Sequence, residues 1–145
     1  MGNYYNEINI MVEKLMHKIL VYDRKGFKIG TKSKELSLLD VYVLKAIGEE
    51  KEKKIYELLE EVEMDRGMVA SIIKKLVLYA YVRKERSEDD KRAYILSLTE
   101  KGMDMYNKTL EIQENFLEFI LSDITLNEEK AILKFLSKIN QTTLK

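Results

Sequence analysis

Cysteine is absent from the 145-residue chain, which excludes disulfides, thiolate metal ligation and cysteine-based redox sensing. Histidine occurs once, as His17, with only scattered carboxylates such as Glu13 for company, too few to suggest a metal site. No cofactor or metal is therefore expected. No apolar run approaches the roughly 18 residues that a membrane span needs, and the opening residues, with Asn3, Asn6, Glu7 and Glu13, lack the layout of a secretory signal. A soluble, cytoplasmic protein is the expectation. No phosphate-binding loop, metal cluster or nucleophile-base spacing is present, so no enzyme activity is expected.

An excess of charge is missing too: 25 basic residues face 25 acidic ones. The balance is uneven along the chain. Asp65 to Arg92 holds eight cations against five anions, a local +3, whereas Glu49 to Glu63 holds three lysines against seven glutamates, a local −4. Attraction to phosphates follows the field within a Debye length, roughly 8 to 10 Å, more than the total charge. What is present is foldable: 46% hydrophobic and 34% charged residues fit charge-laced helices over a compact interior, far from the profile of a disordered chain. The length suits a domain with its own core.

The stretch from Asp65 to Thr99 is the most informative. Helical spacing puts Val69, Ile72, Ile73, Leu76 and Ala80 on one buried stripe and leaves Arg66, Gly67, Met68, Ala70, Ser71, Lys74 and Lys75 facing outward. An outer face that small can enter a groove of duplex DNA. Asp65 can cap the first turn, and Met64 can pack on Val69 as a hydrophobic staple. A preceding helix near Lys53 to Val62, with Ile55, Leu58, Leu59 and Val62 on its apolar stripe, completes a helix-turn-helix.

After this helix the periodicity changes. Tyr81 to Arg86 and Arg92 to Leu98 read as two strands joined by the polar turn Ser87 to Lys91, a two-stranded hairpin. Arg86, Lys91 and Arg92 sit at its tip, where long cations suit the concentrated negative potential of a minor groove. The plain alternative is a solvated surface hairpin. Lys74 and Lys75 read equally as phosphate contacts or as a solvated face, and Asp90 also fits a turn former bonded to the backbone two residues on.

Long helices flank this region. Ile8, Val12, Leu15, Ile19 and Tyr22 form a coiled-coil-like seam over about Tyr4 to Arg24. Gly26 and Gly30 interrupt the basic connector that follows, and Ser37 with Asp40 resembles a capping box opening the helix LLDVYVLKAIG. A long helix runs from Thr99 to about Ser122, tolerating Gly102 near its start. Met103, Tyr106, Leu110, Leu117 and Ile120 lie in one row, with Ile112, Phe116 and Phe119 in a second, so one side can meet a partner. Thr125 with Glu128 caps a last helix carrying Ile132, Leu133, Leu136 and Ile139. Met16, Tyr22, Tyr42 and Met105 could line an adaptable apolar cleft, and core packing accounts for them equally.

The order of elements and the strings LSLLDVYVLKAI, MDRGMVASIIKKL and ERSEDDKRAYILSLTEKG resemble the MarR family of winged helix-turn-helix transcriptional regulators. Asp90, Lys91 and Arg92 fit the family's D-x-R signature, and Leu98, Thr99 and Gly102 fit its L-T-x-x-G continuation; the likeness runs from about Leu36 to Gly102. The resemblance implies a mainly α fold with a small β-hairpin wing, a winged helix-turn-helix over 36–99 flanked by dimerisation helices in 1–35 and 100–145. It implies a homodimer on a palindromic operator, with half-sites about 10 bp apart. Arg92 would reach the minor groove, Asp90 would pair with that arginine, and a small aromatic or amphipathic effector would release a repressor from DNA. The chain departs from the pattern in two places. Gly67, Met68 and Ala70 stand where serine or threonine is usual, and Ala80 replaces the customary glycine before the wing, where a left-handed backbone would be strained.

Two functions follow. One is a dimeric DNA-binding transcriptional regulator. The other is a winged-helix protein-interaction module without useful DNA affinity, suggested by the neutral charge and the polar-poor recognition face.

Overall fold

The computed structural model describes residues 4–24, 36–90 and 92–142. The connector over 25–35, the side chain of Tyr22, and Lys91 lie outside the described residues. The elements are α1 (Tyr5–Arg24), α2 (Leu38–Gly48), β1 (Lys53–Lys54), α3 (Ile55–Val62), α4 (Arg66–Leu78), β2 (Val82–Arg86), β3 (Tyr94–Leu98), α5 (Glu100–Leu121) and α6 (Leu126–Gln141). The mainly helical winged architecture is as the sequence predicts.

Side-chain caps fix the helix starts. Ser37 Oγ accepts from the Asp40 N–H at 3.2 Å while the Asp40 carboxylate accepts from the Ser37 N–H at 2.9 Å, and Thr125 and Glu128 form the same reciprocal pair at α6. Asp65 accepts from the Met68 N–H at 3.3 Å and opens α4. The turn between α3 and α4 is only Glu63 to Asp65, with Glu63 in the left-handed region at φ 49.

The sheet has three strands instead of two. Lys53 and Lys54, expected at the start of a helix, form β1 and pair antiparallel with β3, giving the order β1-β3-β2. The Lys53 side chain supplies a physical reason. It is fully buried, and its ammonium donates to the Ala46 carbonyl and the Glu61 carboxylate, both at 2.6 Å. A buried charge is tolerated only with such partners, and an extended backbone delivers it to them.

The chain divides into two compact units, Met1–Thr109 and Leu110–Lys145. In the first, Val43, Leu44 and Ile47 of α2 meet Leu58 of α3, Val69 and Leu76 of α4, and Leu96 of β3 in one core. Each such aliphatic side chain contributes about 1.5–3 kcal/mol by leaving water. Along α1, Ile8, Leu15 and Ile19 of the expected seam stay exposed. In the second unit, Phe116, Phe119, Leu133, Leu136 and Ile139 are likewise exposed. Among the described residues no helix is long and apolar enough to cross a membrane.

Candidate nucleic-acid interface

Burial of Val69, Ile72, Ile73 and Leu76 leaves one side of α4 open, and that side carries Arg66, Gly67, Met68, Ala70, Ser71 and Lys74, all exposed. Lys75, expected among them, instead turns inward. Its ammonium lies 2.5 Å from the buried Asp40 carboxylate and 5.7 Å from the centre of the Tyr79 ring. The reason is that the Asp40 side chain, buried as the cap of α2, needs a counter-charge, and Lys75 is the cation within reach. This pair ties α4 to the start of α2.

The wing grows directly out of the end of α4. The Tyr81 N–H donates to the Leu76 carbonyl and the Ala80 N–H to the Val77 carbonyl, both near 3 Å, which closes the helix in a Schellman motif. Ala80 therefore lies in the left-handed region at φ 63 and is exposed, so it does not end the buried stripe as its spacing suggested. The turn keeps the geometry that usually calls for glycine.

The returning strand is locked to the same point. Thr99 donates its hydroxyl to the Ala80 carbonyl at 2.6 Å and its N–H to the Tyr81 carbonyl at 3.1 Å, then caps α5 by accepting from the Gly102 N–H at 3.0 Å. A Cβ on Gly102 would sit 1.9 Å from the Tyr81 carbonyl oxygen. The L-T-x-x-G string thus records a backbone crossing at the base of the wing, where a side chain has no room.

At the tip, the Asp90 carboxylate accepts from the Arg92 N–H at 3.0 Å, Ser87 Oγ accepts from the Asp90 N–H at 3.2 Å, and the Ser87 N–H reaches the Ala93 carbonyl at 2.9 Å. Asp90 shapes the loop through the backbone. No ion pair joins it to the Arg92 guanidinium among the described residues, which corrects the pairing that the resemblance implied. The Arg92 side chain is exposed.

Alternation along β2 separates its charges. Arg83 and Glu85 share one face, 3.7 Å apart, and offset each other. Lys84 and Arg86 share the other, with Tyr94 directly across from Arg86 in the strand register. The Arg86 Nε–H donates to the Tyr94 hydroxyl at 3.4 Å, and the Lys84 ammonium stands 4.6 Å from the centre of the ring. The hydrogen bond from Arg86 draws the Tyr94 phenol below its ordinary value, with the guanidinium charge adding to the effect. Tyr94 and Lys84 are not among the residues that the sequence pointed to, though period-2 spacing from Arg86 singles out Lys84.

A cleft of about 610 Å³ lies between α3, α4 and the wing. Tyr56 and Leu59 of α3 line it with Arg66 and Ala70 of α4, and Lys84, Arg92 and Tyr94 close it from the wing. Met16, Tyr42 and Met105 do not line this cleft: Met16 and Tyr42 are exposed on their helices and Met105 is buried in the core. His17 is exposed on α1. Among the described residues no group of His, Asp and Glu side chains could hold a metal ion.

Residues 25–109 match the family of transcriptional regulators SarA/Rot. The HTH-type transcriptional regulator BilQ of Clostridium symbiosum is 31% identical over 123 residues, covering 82% of this chain and 85% of that protein. Among solved structures, FabT of Streptococcus pneumoniae, crystallised in complex with DNA, is similar with a TM-score of 0.80 and 21% identity over 94% of this chain and 95% of that one. A MarR protein from Peptoclostridium difficile gives 0.71 and 24% over 97% and 86%. These likenesses establish the fold, and it is a MarR-like winged helix.

Proposed function

Because the chain belongs to the SarA/Rot family of transcriptional regulators and carries a MarR-like winged helix, we propose that it acts as a homodimer which binds a palindromic operator and represses transcription until a small aromatic or amphipathic effector releases it. The family consists of regulators, not enzymes. The observation that carries the proposal is the shared cleft, where Arg66, Gly67 and Ala70 of α4 and the cations Lys84 and Arg92 of the wing present themselves together. In this reading α4 enters a major groove with Gly67, Met68, Ala70 and Ser71 against base edges, while Arg66 and Lys74 reach phosphates. Lys75 is held by Asp40 and positions the helix.

Arg86, Lys91 and Arg92 place the wing on the backbone and the minor groove, and Asp90 holds its loop. The DNA-bound state in which FabT was crystallised supports this use of the fold. The exposed apolar residues of α1, α5 and α6 support pairing of two chains through 1–35 and 100–145, since apolar surface of that extent is buried by association. In the same proposal the effector meets Met16, Tyr22, Tyr42 and Met105, the two methionines as adaptable apolar contacts. A cytoplasmic location belongs to the same proposal.

The test is a gel shift with the DNA just upstream of the chain's own coding region, run beside sedimentation of the free protein. A dimer that retards this DNA, and retards an unrelated duplex at least 10³-fold less well, is expected. A stable monomer, or a dimer that retards no duplex yet co-purifies with a protein partner, would favour the protein-interaction module suggested by the polar-poor face of α4.

A further inference from the structure

We infer that Tyr94 is a positioning residue that holds Lys84 and Arg86 side by side as an unneutralised phosphate clamp on the inner face of the wing. The inference rests on the DNA-binding reading above and adds a site to it. Both faces of β2 carry cations, but they are treated differently. On one face Arg83 is offset by Glu85 at 3.7 Å. On the other no carboxylate approaches Lys84 or Arg86 among the described residues, and their only polar or ring partner is Tyr94.

A neutral ring orders two cations without cancelling their charge. Its face attracts the Lys84 ammonium at 4.6 Å, and its hydroxyl oxygen accepts from the Arg86 Nε–H at 3.4 Å. Two long side chains otherwise lose rotamer freedom on binding a phosphate, and holding them beforehand reduces that cost.

The placement fits. Lys84 and Tyr94 line the cleft beside Arg66 and Ala70 of α4, so the clamp faces the duplex that α4 would enter. Arg86 and Tyr94 face each other at the loop end of the two strands, Lys84 lies two residues nearer the base of the wing, and Arg92 lines the same cleft from the loop.

The experiment is a double-mutant cycle read as DNA affinity across 50 to 200 mM salt. Tyr94→Leu should weaken operator binding about fivefold or more and flatten the salt dependence by one to two ions per dimer. In a Lys84→Ala/Arg86→Ala background the same substitution should be silent. Tyr94→Phe keeps the ring and its packing, so it should lose about twofold and be silent when Arg86 is alanine. Melting temperatures of all variants identify any loss of fold, and Tyr94→Phe carries the test if leucine disturbs the wing.

Equal losses in both backgrounds, or an unchanged salt slope, would overturn the clamp while leaving DNA binding intact. Wild-type protein that binds no duplex would instead remove the reading on which the clamp depends.

Discussion

The two surfaces that border the cleft are made of opposite materials. On α4 the open positions are Gly67, Met68, Ala70 and Ser71, with Arg66 and Lys74 at the sides, and Arg66, Gly67 and Ala70 line the cleft; on the wing they are Lys84, Arg86, Arg92 and Tyr94, all but Arg86 lining it. A helix with so few hydrogen-bonding groups offers shape and apolar contact to thymine methyls. A strand pair with ordered cations offers charge. The comparison teaches that in the proposed complex affinity and discrimination are divided, the wing supplying most of the first and the helix what it can of the second.

Removing the wing's footing breaks the comparison most severely. Gly102→Ala drives a Cβ into the Tyr81 carbonyl, and the crossing at the base must open; thermal unfolding should show a loss of about 3 kcal/mol. Operator binding should disappear with it although α4 is untouched. Next in size, Arg92→Ala should weaken binding about tenfold at 100 mM salt and reduce the salt slope by about two for a dimer. Because that loss is electrostatic, it should apply to operator and unrelated duplex alike.

Ala80→Gly should act in the opposite direction. Relief of the left-handed strain at φ 63 stabilises the fold by about 0.5–1 kcal/mol, after the entropy cost of glycine is deducted. A melting temperature that fails to rise would mean the turn is already relaxed. The smallest effect on affinity is expected from Met68→Ala on the helix. Binding should fall less than about threefold with an unchanged salt slope, while preference at a single base pair relaxes.

Local signals made much of this legible. Ser37 with Asp40, Asp65, and Thr125 with Glu128 lie three residues from the groups they cap, so the starts of α2, α4 and α6 could be read directly. Periodicity likewise marked the core side of α4 and both wing strands. Three features were hidden because their causes lie far away in the chain. Lys75 pairs with Asp40 across 35 positions, Gly102 is required by a carbonyl on Tyr81, and Lys53 becomes a strand residue because its backbone pairs with Leu96 of β3. Spacing says which side a residue faces. It does not say which distant group waits there.

The same limit explains the wing. Its cations could be counted in the sequence, and strand alternation separates Arg83 from Lys84 and Arg86. Only the register, with Arg86 opposite Tyr94, shows that one face is offset by an acid and the other is ordered by a ring.

The division of labour is tested most directly by comparing the salt dependence of operator binding for the wild type and for Lys84→Ala/Arg86→Ala/Arg92→Ala. The wild type should lose roughly 10³-fold or more in affinity between 50 and 200 mM salt, and the triple variant should show a slope flatter by about five. Parallel slopes would place the phosphate contacts elsewhere and contradict the account.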